Sequence, residues 1–223
     1  MPHPPGKLQT FRRYRTNVAK SGINVPQIYA EDLSQGFLLL NDLGKNTYLD
    51  VIDGENADQI ICRGHRRVAG FPAIADGRRV AQLRRAVVAP GVGVVPRMVR
   101  APALGIEFDE QQAALWQRVS QLLIESALAQ PKVLVHRDYM PRNLMISVPN
   151  PGVLDFQDAV YGPVTYDITC LFKDAFLSWP QARVREWQRG YWERAGQLGI
   201  PVQADVEDFL RASDLMGCSV TSR

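Results

Sequence analysis

Apolar residues recur every three or four positions in three long stretches of the chain, and this period predicts three amphipathic helices. The first begins after Asp109 and continues for about 20 residues. The spacing of Asp109 and Gln112 is that of a capping box at its start. The second spans residues 181–196. The third spans residues 205–216, with Gly217 as its stop and the last six residues as an unstructured tail.

Shorter apolar runs that are bounded by Gly, Pro or Asn predict strands. A Pro-Asn-Pro-Gly turn separates the last two of these runs, so that pair is expected to form a hairpin. The predicted strands are residues 28–30, 37–40, 133–135, 144–147 and 153–154.

Two carboxylates and one amide stand next to the later strands. The run His136-Arg137-Asp138-Tyr139-Met140-Pro141-Arg142-Asn143 follows strand 133–135, and Asp155 follows strand 153–154. An Asp, an Asn five positions later and an Asp after a short hairpin are the groups that hold a polyphosphate and its magnesium beside a hydroxyl group. The pattern therefore indicates a phosphotransferase. The alternative is a hydrogen-bonded loop in which Asp155 only caps the next segment.

Each of the three residues has a role in this interpretation. Asp138 orients the acceptor hydroxyl and takes its proton. The amide oxygen of Asn143 and the carboxylate of Asp155 bind Mg²⁺, which prefers hard oxygen donors and keeps several waters. Two protein ligands are therefore enough beside the phosphates of a nucleotide.

The residues from His136 to Asn143, the segment Leu154-Asp155-Phe156 and the segment 161–167 resemble the aminoglycoside phosphotransferase and choline kinase branch of the protein-kinase-like fold. A bacterial subgroup is more similar still, namely the anomeric kinases of N-acetylmuramate and N-acetylglucosamine that serve cell-wall recycling. The resemblance covers roughly residues 18–61 and 104–217.

The resemblance implies an α+β fold with a mostly helical large lobe, and it implies ATP and Mg²⁺ as cofactors. It makes Asp138 the catalytic base and makes Asn143 and Asp155 the magnesium ligands. It also implies that the hinge residues meet adenine through their backbone; these are Leu40, Asn41, Asp42 and Leu43. Without the resemblance, the hinge is only an apolar strand that ends at a Gly turn.

Asp167 precedes a helical pattern that contains Ile168, Leu171, Phe172 and Phe176. A carboxylate at this position is expected first to cap the helix. The resemblance adds that it braces the catalytic loop. The three apolar residues Leu171, Phe172 and Phe176 are expected in the core.

The predicted division of the chain is a partial small lobe with the hinge over residues 1–43, a post-hinge segment of uncertain structure over 44–103, and a catalytic large lobe over 104–223. A helix is expected at 11–19. No Gly-x-Gly-x-x-Gly motif is present, and Lys7 and Lys20 have no strand context. Much of the phosphate-covering sheet is therefore expected to be missing, and we interpret the chain as truncated at both ends.

The net charge of +3 hides a strong asymmetry along the chain. Residues 63–103 contain nine Arg, no Lys and one acid, Asp76, so this segment is +8 and the remainder is −5. The apolar residues of this segment do not recur with a sustained period of 3.6 or 2, as they would in a helix or a strand. One interpretation is a basic arm for nucleic acid, but Phe71 alone could stack on bases. The favoured hypothesis is that residues 62–103 are translated in the wrong frame, which translation of the other two frames would test.

Composition narrows the protein class further. The chain has 223 residues, is 46% hydrophobic, and contains no apolar run long enough to span a membrane. The three cysteines are widely spaced and match no metal-ligand pattern, which favours reduced thiols in the cytoplasm.

The expected activity is transfer of the γ-phosphoryl of ATP to a cell-wall amino sugar, with an aminoglycoside as the second acceptor. The alternatives are a catalytically impaired remnant or binding module, and a nucleic-acid binder.

Overall fold

The computed structural model describes residues 23–68, 108–174 and 176–220. The strands in this part are β1 Ile28–Asp32, β2 Phe37–Leu40, β3 Lys132–Val135, β4 Leu144–Met145, β5 Gly152–Val153 and β6 Val160–Pro163. The helices are α1 Tyr48–Val51, α2 Ala57–Val68, α3 Glu110–Ala129, α4 Tyr166–Phe172, α5 Gln181–Gln197 and α6 Val206–Val220, with a 3₁₀ turn at Pro141–Asn143.

The strands of the described part form three antiparallel pairs, β1 with β2, β3 with β6, and β4 with β5. All five predicted strands are confirmed, although β4 is shorter than predicted and β5 begins one residue earlier. The ladder stops at Met145 because the N–H of Ile146 donates to the carbonyl of Asn46 instead, at 2.9 Å. This hydrogen bond to the segment after the hinge therefore ends the β4–β5 ladder.

The β4–β5 hairpin is also held by residues from the beginning of the described chain. Asn24 forms a parallel bridge with Gly152, and the N–H of Val153 donates to the carbonyl of Asn24 at 2.7 Å. The Asn24 side chain donates to Ser147 Oγ and to the carbonyl of Pro149. Segments on both sides of the β1–β2 hairpin thus fasten to β4–β5.

Helix α3 begins at the predicted capping box. The Asp109 carboxylate accepts from the N–H of Gln112 at 2.8 Å, and the Gln112 side chain accepts from the N–H of Asp109. The helix has the predicted length of 20 residues. Of the predicted apolar stripe only Leu123 is buried, whereas Leu115, Val119 and Leu122 are exposed.

Helix α6 runs past its predicted stop. Gly217 lies inside the helix, which continues to Val220, so the predicted stop at this glycine is wrong. A Cβ at Gly217 would lie 3.2 Å from the Lys173 side chain. The glycine leaves room for the Lys173 side chain, so a glycine near a helix end is not always a stop.

Helix α4 lies at the centre of the molecule, with all seven of its residues buried. Leu171 and Phe172 belong to the core as predicted, but Phe176 lies beyond the helix end and is 65% exposed. The prediction for Phe176 is wrong because the chain leaves the helix after Phe172. Trp187, on the adjacent α5, is buried against Phe172 with ring centroids 5.8 Å apart.

A polar cluster joins α2 to α5. The Asp58 carboxylate accepts from Nε and from an η nitrogen of Arg183 at 2.9 and 3.0 Å, and it also accepts from the indole N–H of Trp187 at 2.9 Å. Another Arg183 nitrogen donates to the carbonyl of Gly54. The guanidinium of Arg183 also lowers the pKa of Asp58.

Several predictions fall on other parts of the chain. The expected helix at 11–19 and the basic segment beyond residue 68 lie outside the described residues. The first six residues of the basic segment, 63–68, are helical because α2 continues through them. The hypothesis that residues 62–103 are translated in the wrong frame therefore stays a prediction.

Candidate functional site

Strand β3 ends at the buried Val135 and delivers His136, Arg137 and Asp138 to a loop. The His136 imidazole is fully buried. Its Nε2–H donates to the carbonyl of Leu154 at 2.8 Å, and its Nδ1 accepts from the N–H of Asp138 at 3.3 Å. Burial lowers the pKa of His136 to about 4, so the ring is neutral near pH 7. The neutral ring ties the loop to the strand that precedes Asp155.

Asp167 holds the same loop from the opposite side. Its carboxylate oxygens accept from the backbone N–H of His136 at 2.6 Å and from that of Arg137 at 3.0 Å. Arg137 has a φ of 80°, a left-handed conformation that a non-glycine residue adopts at a cost. The carboxylate therefore braces a strained loop, and helix capping, the first expectation for Asp167, is not its contact in the structure.

Burial raises the pKa of Asp167 to about 7, although the two amide donors act in the opposite direction. The charge on nearby Asp138 adds to the increase. The same loop is thus held by two buried groups whose pKa values are shifted in opposite directions, the imidazole of His136 and the carboxyl of Asp167.

The structure brings Asp138 and Asn143 together through a turn. The carbonyl of Asp138 accepts from the N–H of Met140 at 2.9 Å and from the Asn143 side-chain amide at 2.8 Å. Because the NH₂ group of Asn143 is used in this bond, its Oδ1 is directed away from Asp138 O. The predicted base and the predicted amide ligand therefore belong to one hydrogen-bonded unit, with both side chains half-buried.

Asp155 reaches the same region through the β4–β5 hairpin. The N–H of Leu154 donates to the carbonyl of Asn143 at 3.0 Å, so the two segments lie side by side next to Asp155. Asp155 has a φ of 60° and an exposed side chain. The side-chain amide of Gln157 donates to its Oδ1.

The predicted hinge residues also lie beside this hairpin. A Cβ on Gly152 would lie 3.0 Å from the Leu43 side chain, so Leu43 packs on β5. Asn41 pairs with Gln27 through two hydrogen bonds, and the Asp42 carboxylate accepts from the N–H of Gly44. The segment from Leu40, the last residue of β2, to Leu43 is thereby held close to the catalytic hairpin.

The sequence analysis missed two tyrosines that support the site. The buried Tyr139 hydroxyl donates to the carbonyl of Gly64 at 3.0 Å, and the Tyr48 hydroxyl donates to Asn150 Oδ1 at 3.0 Å. These contacts join residues 75 and 102 positions apart. No local pattern could have predicted them, because they depend on how α1 and α2 pack.

Two searches of the described residues give negative results. No group of three or more His, Cys, Asp and Glu side chains there is arranged to hold a metal ion. None of the helices found there is long and apolar enough to cross a membrane. The three cysteines, Cys62, Cys170 and Cys218, form no disulfide bond.

Sequence comparison gives a consistent set of relatives. The phosphotransferase enzyme family matches residues 1–209, a wider span than the resemblance predicted. An N-acetylmuramate/N-acetylglucosamine kinase of Pseudomonas putida is 55% identical over 216 residues, which are 97% of this chain and 64% of the relative. The protein of the same name from Pseudomonas aeruginosa is 48% identical over the same shares. The chain thus spans about two thirds of the length of these curated relatives, 64% in both cases.

Solved structures show the same fold at low identity. The GDP complex of aminoglycoside 2'-phosphotransferase-IIIa matches with a TM-score of 0.64 and 15% identity, and covers 98% of this chain and 73% of its own. An ethanolamine kinase from Plasmodium vivax matches with a TM-score of 0.64 and 13% identity, over 97% and 64% of the two chains. The α+β kinase-like fold expected from the sequence is confirmed.

Proposed function

The chain belongs to the phosphotransferase enzyme family, and from this membership we propose that it transfers the γ-phosphoryl group of ATP to a hydroxyl group of a small amino sugar. One observation supports the proposal above the others, the hydrogen bond from the Asn143 amide to the carbonyl of Asp138. This bond holds the proposed base, Asp138, and the proposed oxygen donor to the cation, Asn143, in one turn, and phosphoryl transfer depends mainly on such positioning.

In this proposal Asp138 acts as the base. The acceptor hydroxyl oxygen attacks the γ-phosphorus, the bond from that phosphorus to the β–γ bridging oxygen breaks, and ADP leaves. The hydroxyl proton passes to the Asp138 carboxylate. The brace between Asp167 and the backbone of His136 and Arg137 keeps the loop that bears Asp138 in place.

Asn143 and Asp155 would hold the magnesium ion. Both offer hard oxygen donors, which suit Mg²⁺, and the hydrogen bond of Asn143 directs its oxygen rather than its NH₂ group away from the loop. When bound, the ion would supply positive charge that offsets the charge of the phosphate groups. The nucleotide would lie against the backbone of the hinge, residues 40–43, which packs beside β5 through Leu43.

The acceptor is inferred from the relatives. The proteins from Pseudomonas putida and Pseudomonas aeruginosa are named N-acetylmuramate/N-acetylglucosamine kinase, so an amino sugar of cell-wall recycling is the proposed substrate. Consumption of ATP and reduced thiols fit the cytoplasm. Residues 1–43 would serve as the small lobe with the hinge and residues 104–223 as the large lobe, with 44–103 between them.

A second candidate function is a kinase-like remnant or binding module that does not transfer phosphate. The observation in its favour is that β1 and β2 form a two-stranded sheet in the described part of the chain. Two strands alone are marginally stable and offer little cover for phosphates. Such a protein would keep the loop geometry without closing on ATP.

Calorimetry followed by a transfer assay separates the two functions. A kinase must bind ATP with Mg²⁺ and then release ADP only when an acceptor is present. We expect ADP release with N-acetylmuramate or N-acetylglucosamine, and less with an aminoglycoside such as gentamicin. Binding of ATP without ADP release would establish the remnant, and release with gentamicin alone would establish the aminoglycoside alternative.

A further inference from the structure

Gln157 makes a contact that the proposed mechanism does not yet use. It lies two residues after Asp155, and its side-chain amide donates to Asp155 Oδ1. Its own position is fixed by a turn in which the N–H of Ala159 donates to the carbonyl of Phe156 at 3.2 Å. Phe156 is fully buried, so it anchors this turn in the core.

Asp155 would otherwise have little to define its side-chain conformation. The residue is exposed, and its left-handed backbone is followed at once by the buried Phe156. A free carboxylate at the surface samples several rotamers, and each one lost on metal binding costs conformational entropy. A donor on one oxygen reduces that cost because it selects a rotamer before the metal arrives.

The two predicted ligands share this arrangement. Asn143 uses its NH₂ group on the carbonyl of Asp138, which directs Oδ1 outward. The Gln157 amide likewise holds Asp155 Oδ1, which restricts the conformation of the Asp155 carboxylate. In each residue one polar atom is held by the protein while an oxygen remains for the metal.

We infer that Gln157 is a positioning residue that orients the Asp155 carboxylate toward the metal of the nucleotide complex. The inference rests on the proposed function, since it presupposes that Asp155 binds the metal of the nucleotide complex. Gln157 acts through Asp155 and contacts neither phosphate nor acceptor.

A titration of the chain with Mn²⁺ in the presence of ATP tests the inference without an activity assay. Electron paramagnetic resonance measures the concentration of Mn²⁺ that remains free. Gln157→Met keeps the side-chain length and lacks the donor. We expect it to weaken Mn²⁺ binding about tenfold, the lower end of the loss seen when a group that orients a ligand is removed. ATP affinity without metal should stay unchanged.

Gln121→Met is the matched control. Gln121 donates from its amide to Glu125 Oε1 at 2.7 Å on α3, an exposed bond of the same type. The control should bind Mn²⁺ as the unmodified chain does. Gln157→Ala, which removes the side chain altogether, should show the same loss as Gln157→Met, with both melting temperatures close to that of the unmodified chain.

The outcomes distinguish this inference from the proposed function. If Asp155→Asn abolishes Mn²⁺ binding but the Gln157 variants bind normally, the positioning role is wrong and the metal site stands. An equal loss in Gln121→Met, or weaker binding of metal-free ATP, would also overturn it. If the unmodified chain binds no Mn²⁺ with ATP, the proposed function fails and the inference fails with it.

Discussion

Asn143 donates a hydrogen bond of 2.8 Å from its side-chain amide to the backbone carbonyl of Asp138. The bond closes the turn between the two residues and determines which atom of Asn143 is presented outward. Two variants separate these effects. Asn143→Ala removes both the N–H donor and the outward oxygen, whereas Asn143→Asp removes only the N–H donor.

Asn143→Ala should lose both the hydrogen bond and the metal donor. We expect a loss of about 1 kcal/mol in the free energy of unfolding and an absence of detectable Mn²⁺ binding with ATP. Asn143→Asp should show a similar loss of stability but retain metal binding, since it keeps an oxygen. Urea unfolding and Mn²⁺ titration check the pair, and equal metal affinity in both variants would exclude Asn143 as a ligand.

Asp138→Asn should abolish transfer while leaving the fold intact. A general base contributes roughly 10² to 10⁴ in rate, and the amide cannot accept the hydroxyl proton. Asp158→Asn, at an exposed carboxylate shortly after the second ligand, is the control and should keep full activity. Steady-state ADP release with the amino sugar measures both, and an unchanged rate in Asp138→Asn would contradict the assignment.

The brace at Asp167 should affect the rate more than nucleotide binding. Asp167→Asn keeps one acceptor oxygen and turns an NH₂ group toward the second backbone N–H, which leaves that donor unpaired. We expect the maximal rate to fall at least about tenfold because the loop bearing Asp138 is misplaced. The KM for ATP should change little. A variant that changes only the KM for ATP would argue against the brace.

His136 and Asp167 should impose opposite pH dependences on stability. The pKa of His136 in the folded protein, about 4, lies below its ordinary 6.5, so its stabilising contribution is complete above pH 6.5 and is lost as the pH falls toward 4. The pKa of Asp167, about 7, lies above its ordinary 3.8, so its contribution is complete below pH 3.8 and is lost as the pH rises through 7.

Between pH 4 and 6.5 the two contributions therefore change in opposite directions. Relative to the unmodified chain, His136→Gln should lose the part that rises with pH, which is on the order of 3 kcal/mol over this window. Asp167→Asn should lose the part that falls. Urea unfolding at several pH values measures the differences, and parallel curves for all three proteins would show that neither group titrates as described.

The cluster at Asp58 should matter for stability and not for catalysis. Asp58→Ala removes the acceptor for Arg183 and for the Trp187 indole N–H. Since the Asp58 side chain is 59% exposed, we expect a loss of only about 1 kcal/mol. Thermal melting and ADP release are the measurements. A large loss of activity at an unchanged melting temperature would contradict this prediction, because it would indicate that Asp58 contributes to catalysis.

Much of the secondary structure near the site followed from local patterns. The capping box at Asp109 predicted the start of α3, and the apolar runs predicted five of the six strands in the described part, β6 being the one missed, because caps and strand periodicity depend on neighbouring residues. Gly217 shows the limit of this reasoning. A glycine near a helix end is typical of a stop, but Gly217 lies inside the helix, where it leaves room for the Lys173 side chain.

The local sequence pattern was enough to predict the chemical groups and their approximate order in space, since Asp138 and Asp155 follow strands, Asn143 precedes one, and a short hairpin brings these strand ends together. The way in which those groups are held depends on tertiary contacts. The buried contact of Asp167 with the loop joins residues about 30 positions apart, and the Tyr139 hydroxyl reaches Gly64 across 75. Burial, which shifts the pKa values of His136 and Asp167 in opposite directions, arises from the packing of many segments and has no local signature in the sequence.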